Sequence, residues 1–239
     1  MELEVTDTIK KVTEREWEKL AGTSTEQSYR WFRTIEESGI RTMRYLLLRE
    51  SGNLKAAVCC YIYNEKMFGI KLPFLEVKSP LGISSAFFSK TFEEKQILIR
   101  KLEEISKEKR ASGILILDLE KEKVSFIKNK LEGFMEIPLD ENTYIDLNFT
   151  DFEDYLNSLD EDSWRSAKMT LNRARRWKIR TVFTNEFSQW KSVAQKLQKY
   201  ICDYHDDYRM YMTDRFYSSL ERNMKENAEL VLLFKGDIP

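Results

Sequence analysis

One histidine, three cysteines and eight glycines are spread over 239 residues, and each scarcity removes a class of chemistry. His205 is the sole histidine, so a Ser-His-Asp triad or a multi-histidine metal centre would rest on it alone. Cys59, Cys60 and Cys202 are an odd number without CxxC spacing. Cys59 and Cys60, placed in a strand, point to opposite faces, so all three read as reduced core thiols and no metal is expected. No two glycines form a GxG, which excludes the Walker A and dinucleotide fingerprints within these residues. No apolar run approaches the roughly 20 residues of a membrane span. The start, MELEVTDTIKKVTEREW, lacks the basic-then-apolar order of a signal peptide, so the expected location is cytoplasmic. Low-complexity tracts and Pro/Ser-rich linkers are missing too.

What is present is a folding composition, 42% hydrophobic and 33% charged, with enough length for one large domain or two small ones. The formal net charge of −1 conceals one cationic stretch. Phe152, Tyr155, Leu156 and Leu159 repeat at helical spacing behind Asp151 as N-cap. After the acidic break Asp160-Glu161-Asp162 the stripe resumes at Trp164, Ala167, Leu171 and Ala174. Alongside it Arg165, Lys168, Arg173, Arg175, Arg176, Lys178 and Arg180 accumulate without an acid among them. Solvated helices usually mix Glu and Lys at i, i+4. A helix packed on one side is therefore expected here, with its basic face turned to an anion or, on the plainer reading of a solvated charge run, to bulk water.

The periodicities along the chain alternate. Ile9 to Thr13 reads as a short strand, Glu14 to Leu20 as a helical turn or two, and Gln27 to Ser38 as a helix ended by Gly39. RYLLLRE, the turn Ser51-Gly52-Asn53 and LKAAVCCYIY form a hairpin. Phe68 to Val77 reads as a strand interrupted by Pro73, and Thr91 opens a helix to about Arg110. GILILDLE is a strand buried on both faces, Lys121 to Leu131 a helix, and ENTYIDL a last strand. Asp118 and Glu120 sit at the strand end, where functional carboxylates are often delivered, beside the plainer reading of strand-end solvation. His205 reads as a surface histidine.

Beyond the basic helix the pattern restarts. Ile179 to Thr184 is a strand, and Glu186 to Tyr208 a helix with Phe187, Trp190, Ala194, Leu197, Ile201 and Tyr204 inward. Thr213 caps another helix, and AELVLLFKG is a strand. At a constant offset Phe32 meets Phe216, Glu37 meets Glu221, Leu46-Leu47-Leu48 meet Leu230-Val231-Leu232, and Gly52 meets Gly236, an internal repeat. The second copy stops where its hairpin should turn, so the expectation is the N-terminal part of a longer protein.

Trp17-Glu18-Lys19-Leu20, YRWFRTIEESG with YLLLRESGNLKAAVCCYIY, LEGFMEIPLDENTYIDL, and FEDYLNSLDEDSWRSAKMTLNRARRWKIRTVF carry a resemblance. They resemble the FemAB-like and BioF2-like N-acyltransferases, tandem copies of the Gcn5-related acetyltransferase (GNAT) fold. The resemblance implies an α/β fold with a mixed sheet. It would comprise a first acetyltransferase-like domain over 1–149, a linker helix over 150–178, and an incomplete second domain over 179–239. Arg173, Ala174, Arg175 and Arg176 match the Lys/Arg-rich end of the family's linker helix, while Met169, Thr170 and Lys178 depart from it.

The implied activity moves an acyl or aminoacyl group from acyl-CoA or aminoacyl-tRNA to an amine, in a small molecule, glycan or peptide of the cell envelope or surface. Lys168, Arg173, Arg175 and Arg176 are the candidate clamps for an anionic acceptor. No catalytic residue is singled out. Acyl-CoA binding in this fold uses a Gly-rich turn at a helix N-terminus. SPLGISSAFFSKTFEEKQ has only Gly82, so no cofactor site is expected within these residues. The alternative is a non-catalytic module whose basic helix binds nucleic acid or another polyanion. Otherwise nucleic acid would enter only as the tRNA donor.

Overall fold

The computed structural model describes residues 1–22, 24–67, 69–119, 133–138, 143, 145–208 and 210–237. Two compact units divide them, Met1–Ile137 with Glu186–Ala228, and Pro138–Asn185 with Glu229–Pro239. The helix read over Lys121–Leu131 and the carboxylate Glu120 lie outside the described residues.

The first unit is built on a mixed sheet. β1 (Glu2–Thr6) pairs antiparallel with β2 (Arg44–Glu50), and β2 with β3 (Asn53–Met67) through the turn Ser51-Gly52. The far edge of β3 is shared. β4 (Ile70–Val77) takes its second half, and the short β5 (Phe87–Phe88) takes Ala57 and Val58. β6 (Ile114–Ile116) lies parallel to β4, with Glu76 opposite Leu115. Pro73 does not interrupt β4, because β6 joins only from Leu75 and its missing N–H faces no partner there.

Alternation along the central strands sorts the core into two layers. Leu46, Leu48, Val58, Cys60 and Val77 face one way, against Leu98, Leu102 and Ile105 of α3 (Phe92–Glu108). Tyr45 stands on the opposite side with Trp17 of α1 (Glu14–Ala21), Phe32 of α2 (Tyr29–Ser38) and Phe88, in edge-to-face contacts at 5.4 to 6.3 Å. Cys59 and Cys60 fall in opposite layers, and burial pushes the Cys60 thiol up to about 12 and the Cys59 thiol up as well. The strand expected at Ile9–Thr13 is instead a 3-10 turn over Ile9–Lys11, and the pairing strand is β1 before it. Thr8 caps that turn, which explains the break. β6 is half-buried on both faces, not fully buried.

α6 (Phe187–His205) and α7 (Asp214–Met224) complete this unit. Phe216 meets Trp31 edge to face at 6.1 Å. Phe187 and Ala194 of α6 are buried, but its later stripe is not: Ile201 is 61% and Tyr204 84% exposed. The expected inward face of this helix is therefore covered only along its first half.

The second unit holds α4 (Phe152–Ser158), α5 (Glu161–Arg176) and the antiparallel pair β7 (Ile179–Thr184) and β8 (Leu230–Lys235). The expected continuous basic helix is two helices, separated where Asp160 caps the second by accepting from Asp162 and Ser163. No residue of α5 is buried, so its apolar stripe is only partly covered. The strand expected in ENTYIDL does not form at Thr143 or residues 145–147.

The chain is thus a mixed α/β fold. Apart from the 3-10 turns and the two-residue β5, its elements begin β1-α1-α2-β2-β3-β4-α3-β6, the alternation of strands and helices that the periodicities predict.

Candidate substrate site

α2 ends at Gly39, whose left-handed conformation stops the helix. Its last turn leaves carbonyls without partners, and Arg215 Nη2 donates to the Glu37 carbonyl at 2.8 Å. A cation at that end also meets the negative pole of the helix. The Glu37 carboxylate accepts from Arg33 Nε at 3.0 Å and Asn223 Nδ2 at 3.0 Å, with Arg222 Nε at 3.5 Å. Burial works against its charge. The bonds from Asn223 and Arg33 and the field of Arg222 outweigh that and hold its carboxyl below the ordinary glutamate value.

Around this knot the helices α2, α6 and α7 leave an open, polar-lined cavity of about 500 Å³. Lys191, Asp214, Arg215 and Arg222 line it with Glu37, and Ser218 and Ser219 add hydroxyls. Lys191 Nζ is 4.0 Å from Asp214, a loose pair. α6 is held in place by Glu221, which accepts from Ser188 N, and by Gln198, which clasps the backbone at Met210 and Met212.

A second polar cluster lies at the ends of β4 and β6. Glu76 is 5% exposed, directly across from Tyr61. Burial raises its carboxyl against the opposing effect of the Tyr61 hydrogen bond. Arg41 stacks over the rings of Tyr61 and Tyr63, at 5.6 and 4.8 Å. Asp118 pairs with Lys78 at 2.9 Å, so this strand-end carboxylate is held in an ion pair.

The sequence-predicted clamps are in the second unit. Lys168 pairs with Glu153 at 2.9 Å and lies 5.2 Å from the Trp164 ring. Arg173 is 5.9 Å from the centre of the Trp177 ring, and Lys235 is 5.1 Å from it. Arg173, Arg175 and Arg176 are exposed, and no carboxylate pairs with them among the described residues. Arg165 is instead paired with Glu161. The three arginines share one helix end, and Lys168 is tied elsewhere. His205 is exposed and packs its ring edge on Tyr204.

The start of α3 tests whether acyl-CoA fits the first unit. Thr91 Oγ1 accepts from Glu94 N at 3.2 Å, and Glu94 Oε2 accepts from Lys90 N at 2.7 Å and Thr91 N at 2.9 Å. This is a closed capping box, with a carboxylate 7% exposed where a pyrophosphate would need free N–H groups. The residues present do not fit that group here. Residues 78–86, between β4 and β5, are bound to the chain ahead of α2 by Ser79 Oγ on Glu26 O and Gln27 Nε2 on Ser85 O.

Sequence reasoning missed the cavity of the first unit. Its α7 members recur at positions 214, 215, 218 and 222, the polar face opposite the buried Phe216, Leu220 and Met224, and that spacing was the available signal.

No family model and no curated protein matches the sequence. Among solved structures, FemX is similar over 96% of this chain and 57% of its own, at 14% identity and a TM-score of 0.48. An acetyltransferase from Trypanosoma brucei is similar over 60% of this chain and 100% of its own, at 14% identity and 0.42. An aminoglycoside 6'-N-acetyltransferase from Acinetobacter haemolyticus covers 61% and 100%, at 16% identity and 0.39. This chain therefore spans little more than half of FemX. No helix among the described residues is long and apolar enough to cross a membrane.

Proposed function

We propose that this chain is part of an N-acyltransferase of FemAB-like type, which transfers an acyl or aminoacyl group to the amine of an anionic acceptor. The observation that carries the reading is a repeated unit. β1-α1-α2-β2 and β7-α6-α7-β8 run in the same order, and the two strands of each pair antiparallel. The second helix of each is capped by a hydroxyl, Ser28 or Thr213. Each then supplies a glutamate to the backbone N–H at the start of the unit's first helical turn: Glu36 to Ile9 and Glu221 to Ser188. Here Glu36, one residue from the sequence pairing with Glu37, is the counterpart of Glu221.

Two acetyltransferase-like copies, a first over 1–149 and an incomplete second over 179–239, joined by the helices of 150–178, match the arrangement of that family. Amine attack forms an N–C bond, breaks the donor's C–S or C–O bond and releases a proton. It asks the protein chiefly for positioning. The cavity at Glu37 and Arg222 is the acceptor's place in the first unit. Arg173, Arg175 and Arg176 are a second anion clamp, and Lys168 orients that helix through Glu153. The donor, acyl-CoA or aminoacyl-tRNA, binds outside the closed start of α3, and the setting is cytoplasmic work on envelope or surface glycans.

The test is transfer of a labelled acyl group to anionic amines by the wild type and by Arg222→Glu. Label in the amine that falls with the substitution supports the reading, and no label from either donor class refutes it.

One observation favours a second reading. Trp177 is 49% exposed beside Arg173 and Lys235, an aromatic among cations that suits a single-stranded nucleic acid. Binding that falls steeply with salt, without acyl transfer, would favour it.

A further inference from the structure

The charges lining the cavity of the first unit are of both signs, and they differ in how far they are already committed. The Glu37 carboxylate has three nitrogen partners, Arg33, Asn223 and Arg222, and little capacity left. Asp214 is more than half exposed, and Lys191 lies 4.0 Å from it. Arg215 uses one N–H on the Glu37 carbonyl, and Arg222 meets the carboxylate through Nε alone. Most of the five donors on each guanidinium are therefore uncommitted among the described residues. Asp214 and Ser218 stand one turn apart on α7, beside Arg215.

A simple anion in this cavity would gain the guanidinium groups and meet repulsion from Asp214. A simple cation would gain Asp214 and meet three positive charges, Lys191, Arg215 and Arg222. We infer that the cavity binds a small zwitterion, an amine that also carries a phosphate or carboxylate, with the anion on Arg215, Arg222 and Lys191 and the ammonium on Asp214. This names the acceptor class for the proposed acyltransferase and rests on that reading only for the claim that the bound amine is the one acylated.

Calorimetric titration of the chain with O-phosphoethanolamine, inorganic phosphate, ethanolamine and β-alanine tests it without any donor. The expected result is phosphoethanolamine or β-alanine binding at least tenfold more tightly than phosphate or ethanolamine. Asp214→Asn should remove the advantage of phosphoethanolamine over phosphate, and phosphate itself should bind more tightly once the Asp214 charge is gone. Arg222→Glu should abolish both, with unchanged far-ultraviolet circular dichroism as the folding control. Phosphate binding as tightly as phosphoethanolamine, or no probe binding to the folded wild type, overturns the inference. Zwitterion binding without acyl transfer by the natural protein leaves the inference standing and removes the acyltransferase reading. Acyl transfer to an amine that ignores this cavity does the reverse.

Discussion

The backbone carbonyl of Glu37 accepts a 2.8 Å hydrogen bond from Arg215, 178 residues further along the chain. Beside it the Glu37 carboxylate binds Asn223 of the same helix α7. The end of one helix is thus fastened to the start and the end of another, and the cavity is what remains between them.

Glu37→Ala should lower stability by about 1.5–3 kcal/mol, the usual worth of hydrogen bonds to a charged group, read from the midpoint of chemical unfolding. Because the folded carboxyl lies below its ordinary value, its contribution is complete above that value and is lost as pH falls through the folded one. The variant should therefore lose part of the wild type's acid sensitivity. Identical acid unfolding curves would contradict the assignment.

Glu76 carries the opposite sign. Its carboxyl is raised by burial, so the folded state holds its proton more tightly, and stability from this group falls as pH rises from the ordinary value through the folded one. Glu76→Gln should flatten stability over that interval and leave neutral-pH stability equal or higher. A large loss at neutral pH would mean that the charged form is the one the fold needs.

Trp17 touches Phe32, Tyr45 and Phe88 and donates to the Gln27 carbonyl at 2.8 Å. Trp17→Ala should cost about 3–5 kcal/mol, and a shift below 1 kcal/mol in urea unfolding would refute this core. Trp17 and Phe32 were legible, because each follows the period of its own helix, and alternation along β2 sends Tyr45 to their layer and Leu46 and Leu48 to the other. The stripe of α6 was legible as a helix but not in its burial. Period alone places Phe187 and Tyr204 on neighbouring faces and says nothing of where covering elements end. The cavity was not legible, since Glu37 and Arg215 belong to distant segments and only the fold brings them together. The basic run around Arg173 was visible, but the partner of Lys168, Glu153, sits on a separate helix.

The three thiols are buried. A thiol reagent such as dithionitrobenzoate should titrate none of them in the native protein and all of them in denaturant. Fast reaction of Cys59 or Cys60 would contradict their placement, because burial raises both thiols and thiolates are the reactive form.

Arg173→Glu combined with Arg176→Glu should leave stability within about 0.5 kcal/mol of wild type, as exposed substitutions do. It should weaken binding of an anion at the end of α5 in the second unit. Unchanged affinity with intact folding would remove these residues from the site.

The most direct measurement is acyl transfer by the protein purified from its source cells. It would be supplied with labelled acetyl-CoA or aminoacyl-tRNA and with anionic amines, and compared with Arg222→Glu. The account predicts label in the amine, reduced at least tenfold by the substitution. Absence of label with both donors, or label that Arg222→Glu leaves unchanged, would contradict it.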